Sequence, residues 1–520
     1  MDQYAQQALR EYNSADTAAH PGGVNGRPFW NINASQFTFA PSFQFPHIPS
    51  CAQYRFTATD KNGVAHTFDA AEPTASLSPV WGDIPTGVVT LTVESVEGDS
   101  GKAVYLIGAR TFYKLAPFPG RQALPPRARA YREAALLSYR YIFHNDIVQH
   151  WLTHGTPKPD YAHNVYPAKM ISSILLAMAD YAAMSPENAQ DALLLARRAA
   201  DYLLSISFPT GHPLAGLPPT YSFDGLDADE VNKVAPAAKD CVDTTMMIYP
   251  VYAGIGYLTL AKATGDDKYL TAALTIANFY KENRHPSGSW YLLYDCRTGK
   301  PLKDNLCVEF RFVEFFRALY DITNEPLWLE LSEGHYRYIA EVCLKNYNWE
   351  GQFEDVAVTG NYRNLTHFAA NKLIGHIAAH QRDDQDMVEI AKDLMRFVED
   401  QFVVWRDMPA WLENEDGVRH TPSGLEQYLC YAPIDSSTAT IMQGFMNMYR
   451  LTRDRLYLEK AMALADAITR MQDADTGLIP TFFIGENGAY GRFNYWINCQ
   501  IVTTNILREL AELTEAEGID

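Results

Sequence analysis

The sequence predicts a two-domain α+β protein, in which an N-terminal β-sandwich is followed by an (α/α)6 toroid. Two observations support this prediction. A seven-residue motif recurs between helical segments, and the hydrophobic pattern changes from strand-like alternation to helical spacing near residue 120. The chain of 520 residues is long enough for two domains or for one large ring.

The recurring motif is T-x-[D/E]-x-x-[Y/W]-L, and its copies begin at Thr264, Thr323 and Thr452. Each copy follows one apolar helical segment and opens another, so it marks a hinge between paired helices. Repeated helix pairs must curve or close to bury their apolar faces. We therefore expect the hinges at one rim and a site at the other.

The N-terminal part divides into two regions. Residues 1–27 are polar and contain Gly and Pro turns, which predicts an arm. Residues 28–117 contain short alternating segments such as 53–59, separated by turns, which is typical of a small β-sandwich domain. Four prolines between positions 117 and 126 then predict a linker to the toroid domain, residues 127–520.

Helical spacing of apolar residues predicts six helix pairs in the toroid. The amphipathic segments are expected to be outer helices: 127–142, 187–206, 266–284, 325–346, 384–404 and 454–472. The segments that are apolar nearly all round are expected to be inner helices: 166–184, 240–262, 306–322, 362–380, 436–451 and 495–514. The loops from outer to inner helices are long and dissimilar, which favours a closed ring over an open solenoid.

Composition excludes several classes of partner. The formal net charge of −19 argues against binding to nucleic acid or to an anionic membrane surface. The seven cysteines are odd in number, widely spaced and without a CxxC pair, so neither a disulfide framework nor a zinc site is expected. No sequence motif for a metal or another cofactor is present, and none is predicted. The sequence does not decide whether the protein forms a homo-oligomer through the β domain or the arm.

The N-terminal residues lack the basic and apolar regions of a signal peptide, and no apolar run reaches about 18 residues. The sequence as given therefore predicts a cytoplasmic protein without a transmembrane helix. If a signal peptide has been removed, a periplasmic or secreted protein is expected.

The starts of the inner helices are the expected site, because their free N–H groups and dipoles converge there and favour anions. Polar, basic or aromatic residues stand near these starts: Asn164, Tyr166, Lys169, Arg311, Tyr362, Arg363, His367, Asp435, Asn494, Trp496 and Asn498. The basic members would bind an anionic ligand or pair with acidic neighbours. Loop tryptophans Trp290 and Trp411 would stack on a sugar ring. Asp435 could also serve only as a helix N-cap.

Glycoside cleavage usually needs two carboxyl groups, one protonated as acid and one ionised as base or nucleophile. The sequence offers several candidates: Asp240, Asp243, Glu309, Glu354, Asp355, Glu413, Glu426 and Asp435. Asp243 is expected inside the start of the helix 240–262, beside Met246 and Met247, where apolar neighbours would raise its pKa. It is the preferred acid, with Glu309, Glu426 or Glu413 as its partner.

The segment from Asp243 to Pro250, DTTMMIYP, resembles a motif of the unsaturated glucuronyl and rhamnogalacturonyl hydrolases. The resemblance implies a six-hairpin fold and gives Asp243 the role of acid/base. The second Asp motif of that family is missing, because the first inner helix begins with Tyr166-Pro-Ala-Lys169. A β domain before a toroid also resembles bacterial exo-β-glucuronidases and some polysaccharide lyases.

These observations predict a glycoside hydrolase of polysaccharide degradation that removes a terminal uronic acid, most simply β-linked glucuronate. Its partner would be a uronic-acid-containing carbohydrate. Two alternatives share the fold: an unsaturated uronyl hydrolase, and a lyase that uses Tyr362 or His367 as base with Arg363. A non-catalytic carbohydrate-binding protein is a third hypothesis.

Overall fold

The computed structural model describes residues 2–14, 16–17, 34–43, 45–49, 51–97, 102–354, 364–409, 419–428, 432–485 and 495–519. The N-terminal part begins with helix α1 (Gln3–Ser14) and contains one five-stranded sheet of order β2-β7-β6-β4-β5. Its strands are β2 (Gln36–Phe37), β4 (Gln53–Thr59), β5 (Ala65–Ala70), β6 (Gly87–Val96) and β7 (Ala103–Lys114). The short strands β1 (Asp16–Thr17) and β3 (Ala40–Pro41) pair with each other, and a short helix α2 (Ser78–Trp81) precedes β6.

The predicted β-sandwich is not found in the described part of the chain, because these strands form a single main sheet. Its buried face, which includes Phe56 and Leu91, joins a hydrophobic core that continues into the toroid. At the junction, the rings of Phe118 and Trp405 lie 4.6 Å apart. Alternation along a strand indicates that one face is buried, but it does not say whether a sheet or helices cover that face. Here helices cover it.

Twelve helices form the six predicted pairs. The outer helices are α3 (Tyr131–His144), α6 (Ala189–Ser205), α9 (Asp267–Glu282), α11 (Pro326–Tyr338), α13 (Gln385–Phe402) and α15 (Arg455–Met471). The inner helices are α5 (Pro167–Met184), α8 (Ile248–Thr264), α10 (Arg311–Thr323), α12 (Phe368–His380), α14 (Asp435–Thr452) and α16 (Ile497–Ala516). Shorter helices α4 (Asp146–His154) and α7 (Ala228–Val234) lie between them, and α11 continues through a π-turn, Ile339–Cys343, to Leu344–Asn346.

The helices close into a ring, which confirms the predicted toroid. Around the inside, α5 contacts α8, α8 contacts α10, α12 contacts α14, α14 contacts α16, and α16 returns to α5. Helices α10 and α12 are joined by an ion pair between Glu314 and Lys372 at 2.9 Å. The first outer helix, α3, packs against the last inner helix, where the hydroxyls of Ser138 and Thr504 lie 2.6 Å apart.

The recurring motif forms the hinges, as predicted. In each copy the threonine hydroxyl donates to the carbonyl four residues earlier at 2.7–2.8 Å. The next residue has a left-handed backbone with φ of 67°, 56° or 60°: Gly265, Asn324 and Arg453. Asp266 and Asp454 then accept hydrogen bonds from the first turn of the following helix, as N-caps do.

Five inner helices begin later than predicted, three of them by five or more residues, and the second differs most. The segment expected to start a helix at 240 instead contains a 3-10 turn (Pro236–Cys241) and strand β8 (Thr244–Met246), which pairs with β9 (Leu293–Asp295). Helix α8 begins only at Ile248. Pro250 explains this start, because its ring nitrogen has no hydrogen to bond the carbonyl of Met246.

Two further strands, β10 (Val403–Val404) and β11 (Ser423–Gly424), pair near the fifth hairpin. None of the described helices is long and apolar enough to cross a membrane. Within the same residues, no cluster of three or more His, Cys, Asp or Glu side chains is arranged to hold a metal ion.

Candidate active site

A cavity of about 290 Å³ lies inside the ring, near the N-terminal ends of the inner helices. All six inner helices contribute to its wall; one contributor from each, in chain order, is Lys169, Tyr252, Arg311, Lys372, Thr440 and Asn498. This is the end of the toroid opposite the hinges. The position matches the site expected from the helix starts.

Glu309 lies on the cavity wall, two residues before Arg311. One of its carboxylate oxygens, Oε2, accepts a long hydrogen bond of 3.5 Å from the Tyr252 hydroxyl. Burial raises the pKa of Glu309, and the charge of Arg311 opposes that rise without cancelling it. A carboxyl group with a raised pKa can hold a proton near neutral pH and donate it to a leaving group.

Arg311 is the basic residue of the cavity that no described carboxylate pairs within 4.0 Å. Its guanidinium carbon lies 4.2 Å from the centre of the Tyr252 ring, which is a cation–π contact. This contact holds the guanidinium against the Tyr252 ring. Its N–H groups are therefore suited to bind an anion in the cavity.

The other two basic residues of the wall are engaged. Lys372 forms the ion pair with Glu314. Burial by itself would raise the pKa of Glu314, but the charges of Lys372 and Arg311 lower it overall. Lys169 lies 2.5 Å from a carboxylate oxygen of Glu354 and 4.4 Å from the centre of the Trp496 ring. Both lysines thus have their charge balanced by a carboxylate.

Glu354 is held on several sides. Besides Lys169, the hydroxyl of Tyr249 donates to its carboxylate, and its own N–H donates to that hydroxyl at 3.2 Å. The hydroxyl of Tyr221 donates to its carbonyl at 2.8 Å. These bonds give Glu354 the role of a fixed anchor for Lys169 and Tyr249.

Two further carboxylates line the cavity. Glu350 belongs to the segment before α12, and Glu426 belongs to the loop before α14. The side-chain amide of Gln427 donates to Oε2 of Glu426 at 3.3 Å. The cavity therefore holds three carboxyl groups on different elements: Glu309, Glu350 and Glu426.

Five of the predicted site residues line the cavity: Lys169, Glu309, Arg311, Glu426 and Asn498. The amide oxygen of Asn498 is buried without a hydrogen-bond partner among the described residues, so it can accept a bond from a ligand hydroxyl. Trp496 borders the cavity, but its faces are occupied. His163 stacks on its ring at 3.7 Å between centroids, and Lys169 also lies over it.

Asp243 lies outside the cavity, which corrects the preferred assignment of the acid. Its side chain is 62% exposed, and one of its oxygens lies 3.8 Å from Arg297. It precedes strand β8 instead of opening a helix, because Pro250 delays the start of α8. The residues expected to bury it, Met246 and Met247, are themselves buried.

Trp290 is also not a cavity residue. It is 1% exposed, its ring stacks on Phe312 at 4.7 Å, and its N–H donates to the carbonyl of Tyr280 at 2.7 Å. It belongs to the core between outer and inner helices. The sequence places this tryptophan in a loop, where it is available to a ligand, but an irregular segment can also fold back onto the core.

The other described residues predicted near helix starts are buried and do not line the cavity. Tyr166 packs against Tyr221 and Trp496, and Asn164 donates to the carbonyl of Lys158 at 3.4 Å. Asp435 accepts a 3.0 Å hydrogen bond from Thr503, and burial raises its pKa well above its usual value. His367 bonds Asn371 at 3.0 Å, and burial lowers its pKa to about 3.

Five predicted residues lie outside the described part of the chain: Tyr362, Arg363, Trp411, Glu413 and Asn494. Sequence reasoning missed Tyr249, Tyr252, Glu350 and Lys372. A signal existed for two of them, because Tyr249 and Tyr252 are three residues apart and share the cavity-facing side of α8. Glu350 comes from an irregular segment with no such periodicity.

No protein-family model matches this sequence, and no curated protein sequence matches it. Three similar solved structures have low identity. Cellobiose 2-epimerase from Spirochaeta thermophila is 14% identical over 74% of this chain and 98% of its own, with a TM-score of 0.47. An unsaturated glucuronyl hydrolase specific for heparin is 12% identical over 74% of this chain and 98% of its own, with a TM-score of 0.45. A family 76 glycoside hydrolase from a bovine Bacteroides thetaiotaomicron strain is 9% identical over 89% of this chain and 93% of its own, with a TM-score of 0.44. At these values the matches assign neither family nor activity.

Proposed function

We propose that this protein is a glycoside hydrolase that removes a terminal uronic acid from a carbohydrate, with Glu309 as its general acid. One observation carries the proposal: a carboxyl group whose pKa burial raises lies on the cavity wall with Arg311, a cation that forms no ion pair within 4.0 Å with a described carboxylate. The first group suits protonation of a glycosidic oxygen, and the second suits a sugar carboxylate.

Glu426 is proposed as the second carboxyl group, acting as general base or nucleophile. It precedes α14, which is two inner helices away from α10 in the ring, so it approaches the cavity from a different side than Glu309. The side-chain amide of Gln427 donates a hydrogen bond to Oε2 of Glu426 at 3.3 Å. Two carboxyl groups in different protonation states are what glycoside hydrolysis requires.

Arg311 is proposed to bind the uronate. A guanidinium presents two parallel N–H donors that match a carboxylate, and the Tyr252 ring packs against it. Lys169 and Lys372 are already paired with Glu354 and Glu314. Arg311 feels the charges of Glu309 and Glu314 but forms no ion pair within 4.0 Å with a described carboxylate, so its N–H groups suit one sugar carboxylate.

The alternatives have less support. A lyase needs a base such as an ionised tyrosine, but burial raises the pKa of Tyr252, the tyrosine beside Arg311, and so disfavours ionisation. The unsaturated uronyl hydrolase hypothesis depends on Asp243, which is exposed and outside the cavity. A purely binding protein would have no use for a carboxyl group with a raised pKa.

The test compares p-nitrophenyl uronides, α- and β-linked, with the matching neutral glucosides. We expect turnover of a uronide in preference to its neutral counterpart. Arg311→Met should reduce that preference by about 10- to 100-fold, the worth of one charge-assisted hydrogen-bonded pair. Absence of turnover on every uronide would overturn the proposal. A rise in ultraviolet absorbance on a uronate polymer would instead identify a lyase.

A further inference from the structure

The segment that carries Glu309 is not part of a helix. Residues Leu306 to Phe310 are irregular, and α10 begins only at Arg311. A buried irregular segment must satisfy its backbone groups through partners elsewhere in the fold. Those partners determine where the Glu309 carboxyl points.

On one side, the segment is held by the edge of the preceding loop. The Cys307 N–H donates to the carbonyl of Trp290, and the Ser289 hydroxyl donates to the carbonyl of Cys307, at 2.8 and 2.7 Å. On the other side, the side chain of Gln352 makes the two backbone hydrogen bonds that a neighbouring strand would otherwise make. Its amide nitrogen donates to the carbonyl of Leu306 at 2.8 Å, and its amide oxygen accepts from the Val308 N–H at 2.9 Å.

The carbonyl of Glu309 itself is bound by His335. The ring nitrogen Nε2 of His335 lies 3.0 Å from that oxygen. A carbonyl only accepts, so Nε2 carries the hydrogen. The ring is fully buried among aromatic side chains, with centroids 5.4 Å from Trp290 and 5.0 Å from Phe312, and burial lowers its pKa to about 4.

His335 comes from α11, an outer helix, whereas the cavity wall is built by inner helices and loops. It reaches the site only through the backbone of Glu309. Ser332, one turn earlier on the same helix, donates to the carbonyl of Val313 at 2.9 Å and so binds α10 beyond the site. These two residues make similar buried bonds, but only one of them holds the carboxyl-bearing segment.

We propose that His335 and Gln352 are positioning residues, which together fix the backbone of Glu309 so that its carboxyl group faces Tyr252 and the cavity. The inference rests on the proposed function for its catalytic consequence, but not for its structural one. His335 does not line the cavity, whereas Gln352 does, and both are proposed to act through the backbone and not on the reacting atoms. Each acts through hydrogen bonds to the backbone between Leu306 and Glu309.

The test uses His335→Phe, which keeps the ring between Trp290 and Phe312 but removes the donor, and His335→Gln, which restores a neutral donor of similar reach. His335→Phe should lower kcat by about 10- to 100-fold with KM changed less than about 2-fold, since small displacements of a catalytic group have costs of that size. His335→Gln should recover most of kcat. Ser332→Ala is the matched control and should leave both constants unchanged.

A second readout does not depend on turnover. In protein labelled with ¹³C at the glutamate carboxyl carbon, the Glu309 signal is assigned by its loss in Glu309→Gln and followed through a pH titration. In His335→Phe its pKa should move down toward the usual value, because the released carboxyl gains access to water. His335→Gln and Ser332→Ala should leave the titration as in the wild type.

The outcomes separate the two proposals. If His335→Phe behaves like Ser332→Ala in both readouts, the positioning role is wrong. If the wild type cleaves no uronide but the Glu309 titration moves in His335→Phe, the proposed function falls and the positioning role stands. Should His335→Phe fail to fold, Gln352→Met, which removes both bonds at nearly constant volume, gives the same two readouts.

Discussion

The two ends of the helical ring are built in opposite ways. At the hinge end, one motif recurs and the hydrogen bonds within it are local, as is the bond from the Thr264 hydroxyl to the carbonyl of Leu260. At the cavity end, partners come from distant parts of the chain: Lys169 and Glu354 are 185 residues apart. The hinge end can repeat because its interactions are local, whereas the cavity end must be specified residue by residue.

The comparison teaches where substitutions should affect activity and where they should affect only stability. Charged side chains at the hinge end face water, as with Lys268 and Asp201, whose side chains are 46% and 51% exposed. At the cavity end, the Lys169 and Glu354 side chains are 18% and 0% exposed. Changes of the same chemical kind should therefore have large effects at one end and small effects at the other.

The largest contrast is expected for matched glutamate substitutions. Glu309→Gln removes the proposed acid and should lower kcat by about 10²- to 10⁴-fold, the usual contribution of general acid–base catalysis. Glu325→Gln, at an exposed hinge, should leave kcat unchanged. Steady-state kinetics on the preferred uronide measures both, and a Glu309→Gln enzyme with more than a tenth of wild-type kcat would contradict the assignment.

Removing a lysine should produce the next largest contrast. Lys169→Met leaves the Glu354 carboxylate buried without its partner and should destabilise the fold by about 3 kcal/mol, while Lys268→Met at the hinge should cost less than about 1 kcal/mol. Urea unfolding measures both. The double variant Lys169→Met, Glu354→Gln should regain much of the loss, and no recovery would show that the lysine stabilises by packing alone.

The stability of the wild type relative to Glu309→Gln should fall as pH rises. The pKa of Glu309 is raised in the folded state, so between the unfolded value of about 4.3 and the folded value the native protein binds more protons than the unfolded chain. The contribution of Glu309 to stability is complete below that window and lost above it. Within the window, the free energy of unfolding falls by no more than about 1.4 kcal/mol per pH unit. Urea unfolding of both proteins across this range tests the sign, and a rise with pH would refute it.

The smallest effects are expected at the hinge backbone. Gly265→Ala should destabilise by about 1 kcal/mol, because alanine is strained at a positive φ although no atom lies within 4 Å of the added carbon. Asn324→Gly should stabilise the fold by a few tenths of a kcal/mol, because glycine adopts the positive φ at this position with less strain than asparagine. Thermal unfolding measures both shifts, and kcat should stay at the wild-type value in each.

Sequence reasoning succeeded where structure is local. The outer segment 454–472 agrees with α15 (Arg455–Met471), because amphipathic spacing and the hinge motif fix both ends. It failed at the start of α8, where apolar residues suggested a longer helix but Pro250 prevents one. Because α8 begins after Asp243, this residue does not lie at the start of an inner helix and is outside the cavity.

The site was predictable in part for the same reason. Lys169, Arg311 and Asn498 lie in the first turn of inner helices, so fold class and periodicity place them at the cavity. Glu350 and Glu354 come from an irregular segment, and no periodicity assigns a direction to their side chains. Which basic residues of the site are paired with a carboxylate depends on contacts between segments far apart in sequence. A single sequence does not show these contacts.

The closure of the ring has a consequence for biogenesis. Helix α3 is complete early in synthesis, yet its partner α16 is made more than three hundred residues later, as the Ser138–Thr504 contact with its separation of 366 residues shows. Until then, the apolar flank of the first hairpin has no permanent neighbour, and the cavity lacks one of its six walls. Contacts of such long range form slowly. A nascent chain of this protein therefore needs protection from aggregation during elongation, and it gains a competent site only when the last helix docks.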